Sequence, residues 1–168
     1  MAISKNGTPL HTLADWEKFA GPKSTDQWVD GRSAMEAARA WLEGDGMTLP
    51  PEITKALASH SAFGTVINWD AEPEAKLSFD AFPGEPRNSD LVVYIHDTNG
   101  QYVMAVEAKA DETFGGTVTD TFEAALERFL ANNRSNGIER IKQLTQALLG
   151  PKQNGEMRIG DGIIKLTN

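Results

Sequence analysis

Two apolar runs, Leu91 to Ile95 and Tyr102 to Val106, flank the polar segment Asp97-Thr98-Asn99-Gly100. Short apolar runs around Asn-Gly predict a β-hairpin, because both turn residues tolerate positive φ. Upstream the pattern has a helical period. Thr12 caps a short helix that ends before Gly21-Pro22, with Trp16 and Phe19 as its buried residues. Ser33-Ala34-Met35-Glu36 fits a capping box ahead of an Ala-rich helix closed by Gly44, whose apolar face is Met35, Ala38, Trp41 and Leu42. Leu49-Pro50-Pro51 opens a third helix running through Ser59, since proline is tolerated in a first turn. Alternation over Lys76 to Phe82 predicts a strand leading into the hairpin. Asp120-x-x-Glu123 then opens a helix with Phe122, Leu126, Phe129 and Leu130 apolar. Asn136-x-x-Glu139 opens another, with Ile138, Ile141, Leu144, Leu148 and Leu149 apolar and a stop at Gly150-Pro151. A last strand falls in Gly162 to Leu166. The fold class is α/β: helices, three strands, helices, with a central mixed sheet flanked by helices.

The hairpin brings chemistry together. If Asn99 and Gly100 form a two-residue loop, Thr98 pairs with Gln101, Val92 with Glu107 and Asp90 with Lys109. A four-residue loop, Asp97 to Gly100, pairs Asp90 with Glu107 instead. Side chains alternate along a strand, so in either register Asp90, Glu107 and Lys109 project from one face. Opposed Cβ atoms lie roughly 5 Å apart and diagonal ones roughly 7 Å, which confines two carboxylates and an ammonium to one patch. The preceding strand is apolar at Leu91, Val92, Val93, Tyr94 and Ile95, a sign of cover on both faces. Charges at the end of such a strand are costly, and sites in open α/β sheets lie at strand ends.

An acid at the start of one strand and Glu107-Ala108-Lys109 at the end of the next resemble the motif of the PD-(D/E)XK nuclease superfamily. The likeness extends over residues 33 to 149 as an order of elements, the restriction-endonuclease-like α-β-β-β-α core. Ser89 stands where the superfamily's name places proline, and Pro86 lies further back. The resemblance implies Mg²⁺ or Mn²⁺ held by Asp90 and Glu107 with help from the Ala108 carbonyl, and Lys109 as the catalytic lysine. Two carboxylates make a hard, oxygen-rich site for such an ion, and the lysine orients water or stabilises charge on phosphate. Glu36, on the helix before the sheet, matches a further acidic residue often kept by nucleases of this type; its capping box supplies a structural reason for it as well. The implied substrate is nucleic acid, DNA before RNA. The alternative is a catalytically silent nuclease-like module for binding or regulation, and the third reading is an unrelated α/β protein in which the trio is a surface ion pair.

Short acid-x-Lys triplets arise readily by chance, and Glu74-Ala75-Lys76 is a second one, read here as part of a polar run without a hairpin partner. At 168 residues with 40% hydrophobic content, a single domain is expected, with residues 1–30 as an extension carrying a short helix and 31–168 as the nuclease-like core. Many superfamily members continue with another helix after the strand at which this chain stops. The lack of cysteine excludes disulfides and thiolate metal sites. No signal-like or membrane-length apolar run occurs, so a soluble cytoplasmic protein without a membrane partner is expected. A net charge of −8 repels polyanions, which makes nucleic-acid binding weak or assisted by a partner. Lys23, Arg32, Arg39, Arg87, Arg128, Arg134, Arg140 and Lys142 are scattered, and only a fold could gather them. Arg87 is placed either to meet phosphate or to form a loop ion pair. Asp111 and Glu112 continue the charged strand end. His11, His60 and His96 lack ligand spacing, and Trp16, Trp28, Trp41 and Trp69 are expected in the core or at its rim.

Overall fold

The structure, a computed structural model, describes all residues except 79, 84, 85, 112, 114, 133, 134, 150–155, 160, 161 and 166–168, and gives the backbone alone at 44, 45, 148, 149, 156–159 and 162–165. The chain is α/β and divides into two compact units, one of Met1–Phe79 with Glu85–Phe114, the other of Asp80–Gly84 with Gly115–Asn168.

In the first unit, strands β1 (Ala2–Lys5), β2 (Thr8–Pro9), β3 (Val66–Leu77), β4 (Arg87–Asp97) and β5 (Gln101–Val106) form a mixed sheet in the order β2-β1-β3-β4-β5. β1 runs parallel to β3, and all other neighbours are antiparallel. The first thirty residues therefore build part of the sheet, with Ile3 in its core. Helices α1 (Leu13–Ala20), α2 (Ser33–Leu42) and α3 (Pro51–Ala58) supply Trp16, Ala38, Trp41 and Leu57 to a core shared with Trp69, Ala71, Leu91, Val93 and Ile95, alternate residues that mark one face of β3 and β4. Trp41 and Trp69 meet edge to face, ring centroids 5.9 Å apart, and all four tryptophans are buried.

Three helix starts can be compared with the sequence pattern. Thr12 caps α1 in a full capping box with Asp15, whose carboxyl is held below its usual range first by the Thr12 hydroxyl. Phe19 is exposed rather than buried; Ala20 takes the inward place and the Lys18 ammonium covers the Phe19 ring. The box expected at Ser33 and Glu36 does not form, because the helix starts at Ser33 itself with Arg32 as N-cap. Glu36 instead accepts the amide of Gly31. Pro51 opens α3 and Ser59 ends it, as its pattern predicts.

β3 corrects a boundary. It begins at Val66, ten residues before the predicted strand, and Phe82 lies outside it. Polar residues alternate with Trp69, Ala71, Pro73 and Ala75 along its length, and all four of these are buried, so the polar run is one face of a strand. Pro73 cannot donate to a ladder. β1 pairs with β3 only at Asp70 and Ala71, and beyond that point the Lys5 ammonium donates to the carbonyls of Pro73 at 2.7 Å and Glu74 at 2.8 Å. On β4 the apolar run is buried at Leu91, Val92, Val93 and Ile95, but Tyr94 is 46% exposed, so the expected cover of both faces does not extend to it.

The second unit contains α4 (Val118–Ala131), α5 (Gly137–Leu149) and a hairpin of β6 (Glu156–Ile159) and β7 (Gly162–Lys165). α4 starts one turn earlier than its pattern predicts, capped by Thr117 with Asp120 rather than by Asp120 with Glu123. Ala125 is its buried residue; Phe122, Leu126, Phe129 and Leu130 are 39–76% exposed. Arg140 of α5 pairs with Asp80 at 3.0 Å and stacks on Phe82. The predicted stop at Gly150-Pro151, Arg134, Glu112 and the Leu166 end of the last strand lie outside the described residues.

Candidate functional site

The geometry of the charged strand end depends on the β4–β5 turn. His96 pairs with Gln101 and Leu91 with Val106, the register of the four-residue loop rather than of the two-residue Asn-Gly turn. Asp97 closes this loop. Its Oδ1 accepts the amides of Asn99 at 2.7 Å and Gly100 at 2.9 Å, its Oδ2 accepts that of Gly64 at 2.6 Å, and its own amide donates to Gly100 O. An aspartate side chain bonded to amides two and three residues on makes an Asx-type turn. Asp97 is 2% exposed, and the Gly64 amide is the leading cause that holds its carboxyl below the usual range. Burial and the nearby Asp97 charge push the Tyr102 hydroxyl up.

Leu91 with Val106 is the last pair of the ladder, and Asp90 and Glu107 are the next residue on each side of it. Asp90 is half-buried, and its Oδ2 accepts the Ala108 amide at 2.6 Å. This bond fastens the start of β4 to the segment just after β5. Glu107 receives two cations: Lys109 Nζ donates to Oε1 at 2.9 Å and Arg87 Nη2 to Oε2 at 3.1 Å. Lys109 first, then Arg87, holds the Glu107 carboxyl below its ordinary value, so it is ionised at neutral pH. Three of the predicted residues, Asp90, Glu107 and Lys109, thus share one strand end with the Ala108 backbone between them. Arg87 forms an ion pair there, one of the two roles its position allowed.

Glu36 has other partners. Its Oε1 accepts from Gly31 N and from Arg39 Nη1, both at 2.9 Å, and Arg39 also pairs with Asp30. These bonds tie the start of α2 to the loop before it. A link invisible in the sequence joins Arg32, at the head of the same helix, to Asp111 at 2.8 Å across 79 positions. Glu74 also departs from its predicted setting. It stands on β3 between the pairs Pro73–Leu91 and Ala75–Ser89, alongside Asp90, with a left-handed φ of 48° and its carboxylate bonded to the Asn88 amide. The Asp97 turn was legible in principle, since Asp-Thr-Asn-Gly carries the residue types of a side-chain-closed turn.

For a divalent cation, the donor chemistry of Asp90 and Glu107 is suitable, being hard oxygen. Among the described residues no group of three or more His, Asp or Glu side chains is placed to hold one, so backbone and water oxygens would have to complete the shell. Also among the described residues, no helix is long and apolar enough to cross a membrane. The chain belongs to the family described as a domain of unknown function, DUF6946, whose pattern matches residues 9–159. No curated protein and no solved structure matches it.

Proposed function

We propose that this member of the DUF6946 family is a metal-dependent nuclease that hydrolyses phosphodiester bonds, DNA before RNA, at the strand end formed by Asp90, Glu107, Ala108 and Lys109. The observation that carries the reading is the Asp90 bond to the Ala108 amide just beyond the last ladder pair, Leu91 with Val106, with Lys109 2.9 Å from the Glu107 carboxylate. This arrangement supports a PD-(D/E)XK-type, restriction-endonuclease-like reading of the sheet. A bound Mg²⁺ or Mn²⁺ supplies a Lewis acid for the phosphoryl oxygen and lowers the pKa of its water.

The residues of the chain do the rest. Asp90 presents Oδ1 while Oδ2 stays on the Ala108 amide, which fixes its orientation. Glu107 presents the oxygen now held by Arg87, and the released guanidinium is free to bind a phosphate oxygen. Lys109 keeps its ammonium beside Glu107, where it orients the attacking water or neutralises developing charge. Glu36 ties α2 to the loop before it through Gly31 and Arg39.

A second reading, a silent module for binding or regulation, draws support from the charge of −8 and from the ion pairs that engage both oxygens of Glu107. The test is cleavage of duplex DNA, single-stranded DNA and RNA by pure protein with Mg²⁺ or Mn²⁺. Asp90→Ala, Glu107→Ala and Lys109→Ala should each lower turnover by about 10²-fold or more while the protein stays folded. Glu74 is too near Asp90 to serve as a remote control, so exposed Glu17→Ala on α1 takes that place. Wild-type protein that cuts none of the three polymers removes the nuclease reading.

A further inference from the structure

We infer that Asp97 is a positioning residue for the Asp90 and Glu107 pair, acting through the register of the hairpin from its far end. Asp97 lies seven residues from Asp90, roughly 23 Å along the strand. Asn99-Gly100 is by residue type a two-residue turn, and that turn would align Asp90 with Lys109 and Glu107 with Val92. The observed register differs by two residues, its last ladder pair being His96 with Gln101. Two of the loop's amides, Asn99 N and Gly100 N, are taken by Asp97 Oδ1. The loop is also docked from outside. Thr98 N donates to Thr65 O at 3.0 Å, Thr65 N to Thr98 Oγ1 at 3.1 Å, and Asn99 Nδ2 to Ala62 O at 3.2 Å, while Gly64 N reaches Asp97 Oδ2. Asp97 joins the turn's own amides to the segment it docks on. A slip to the shorter loop keeps every side chain on its face, because it moves the register by two. Face burial therefore does not forbid the slip, and the selection falls to the turn.

The consequence for the site rests on the nuclease reading; the register does not. The chain has no cysteine, so disulfides report pairing cleanly. Tyr94 and Val103 pair in the observed register and are exposed, whereas the shorter loop would pair Tyr94 with Ala105, also exposed. Oxidation of the full chain carrying Tyr94→Cys with Val103→Cys, or Tyr94→Cys with Ala105→Cys, reads the two registers directly. With Asp97 present the first pair should close and the second should not. Asp97→Ala should swing the ratio toward the second by about tenfold, the equivalent of roughly one net hydrogen bond. Asp97→Ser, whose hydroxyl reaches at most one turn amide, should give a smaller swing and serves if the alanine variant does not fold. An unchanged ratio in either folded variant overturns the proposal. In Asp97→Ala, closing the disulfide of the first pair, Tyr94→Cys with Val103→Cys, should restore any Mn²⁺-induced rise in Tm. A register that shifts as expected, with no Mn²⁺ response in any variant including wild type, upholds Asp97 and removes the nuclease reading alone.

Discussion

A methyl group at Gly64 would sit 2.1 Å from Thr98 Oγ1 and 3.0 Å from Asn99 Oδ1. Gly64→Ala should therefore destabilise the first unit by about 1–3 kcal/mol in urea titration. Adding Thr98→Ala removes the nearest atom, and the double variant should recover part of that loss. Asp97 gives the same turn a pH signature. Its folded carboxyl is depressed, so its contribution is complete above the unfolded carboxylate pKa of about 3.9 and is lost as pH falls through the lower folded value. Asp97→Asn should be less stable than wild type at pH 7, and the difference should shrink in acid below pH about 4, measured by urea midpoints across pH. At the other end of the hairpin, Glu107 is depressed by Lys109 and Arg87 but is 44% exposed, so solvent screens most of its effect on stability.

Among the elements, β3 draws on a side chain of its neighbour where the ladder stops. Lys5 of β1 has 16% of its side chain exposed and donates to two carbonyls that β1 itself does not reach. Lys5→Met keeps the apolar stem and removes the donor, leaving Pro73 and Glu74 carbonyls short of a partner. It should cost about 1–3 kcal/mol, with protection of β3 amides against hydrogen exchange falling first. The capping box of α1 is a milder case. Thr12→Ala should cost about 0.5–2 kcal/mol in the same titration.

Over the whole molecule, the decisive quantity is the response to a divalent ion. Two carboxylates on one strand end favour a cation that relieves their repulsion, and an ion bound only by the native state stabilises it by mass action. At about one hundred times Kd the gain is about 2.7 kcal/mol, several degrees in Tm. Mn²⁺ should raise the Tm of wild type and of Lys109→Ala, and should not raise that of Asp90→Ala or Glu107→Ala. A surface ion pair cannot produce this split, because losing the lysine would abolish it as completely as losing the glutamate. Equal responses in wild type and Glu107→Ala would rule out metal at this strand end.

Local pattern was enough for the α/β class, the α1 cap at Thr12 and the start of α3 at Pro51. Each of these depends on the period of a helix or strand and on bonds that close within a few residues. The polar run before Lys76 was illegible as strand, since Pro73 and alternating acids look like loop until β4 and Lys5 are beside them. β1 was equally hidden, its partner Ala71 being 68 positions from Ile3. The hairpin register lay between the two cases. Asn-Gly favours the shorter turn, and the longer one prevails because Asp97, Thr98 and Asn99 find Gly64, Thr65 and Ala62 more than thirty residues upstream. Hydrogen bonds that span such distances exist only once the chain has folded, and they decide whether Asp90 faces a carboxylate or an ammonium.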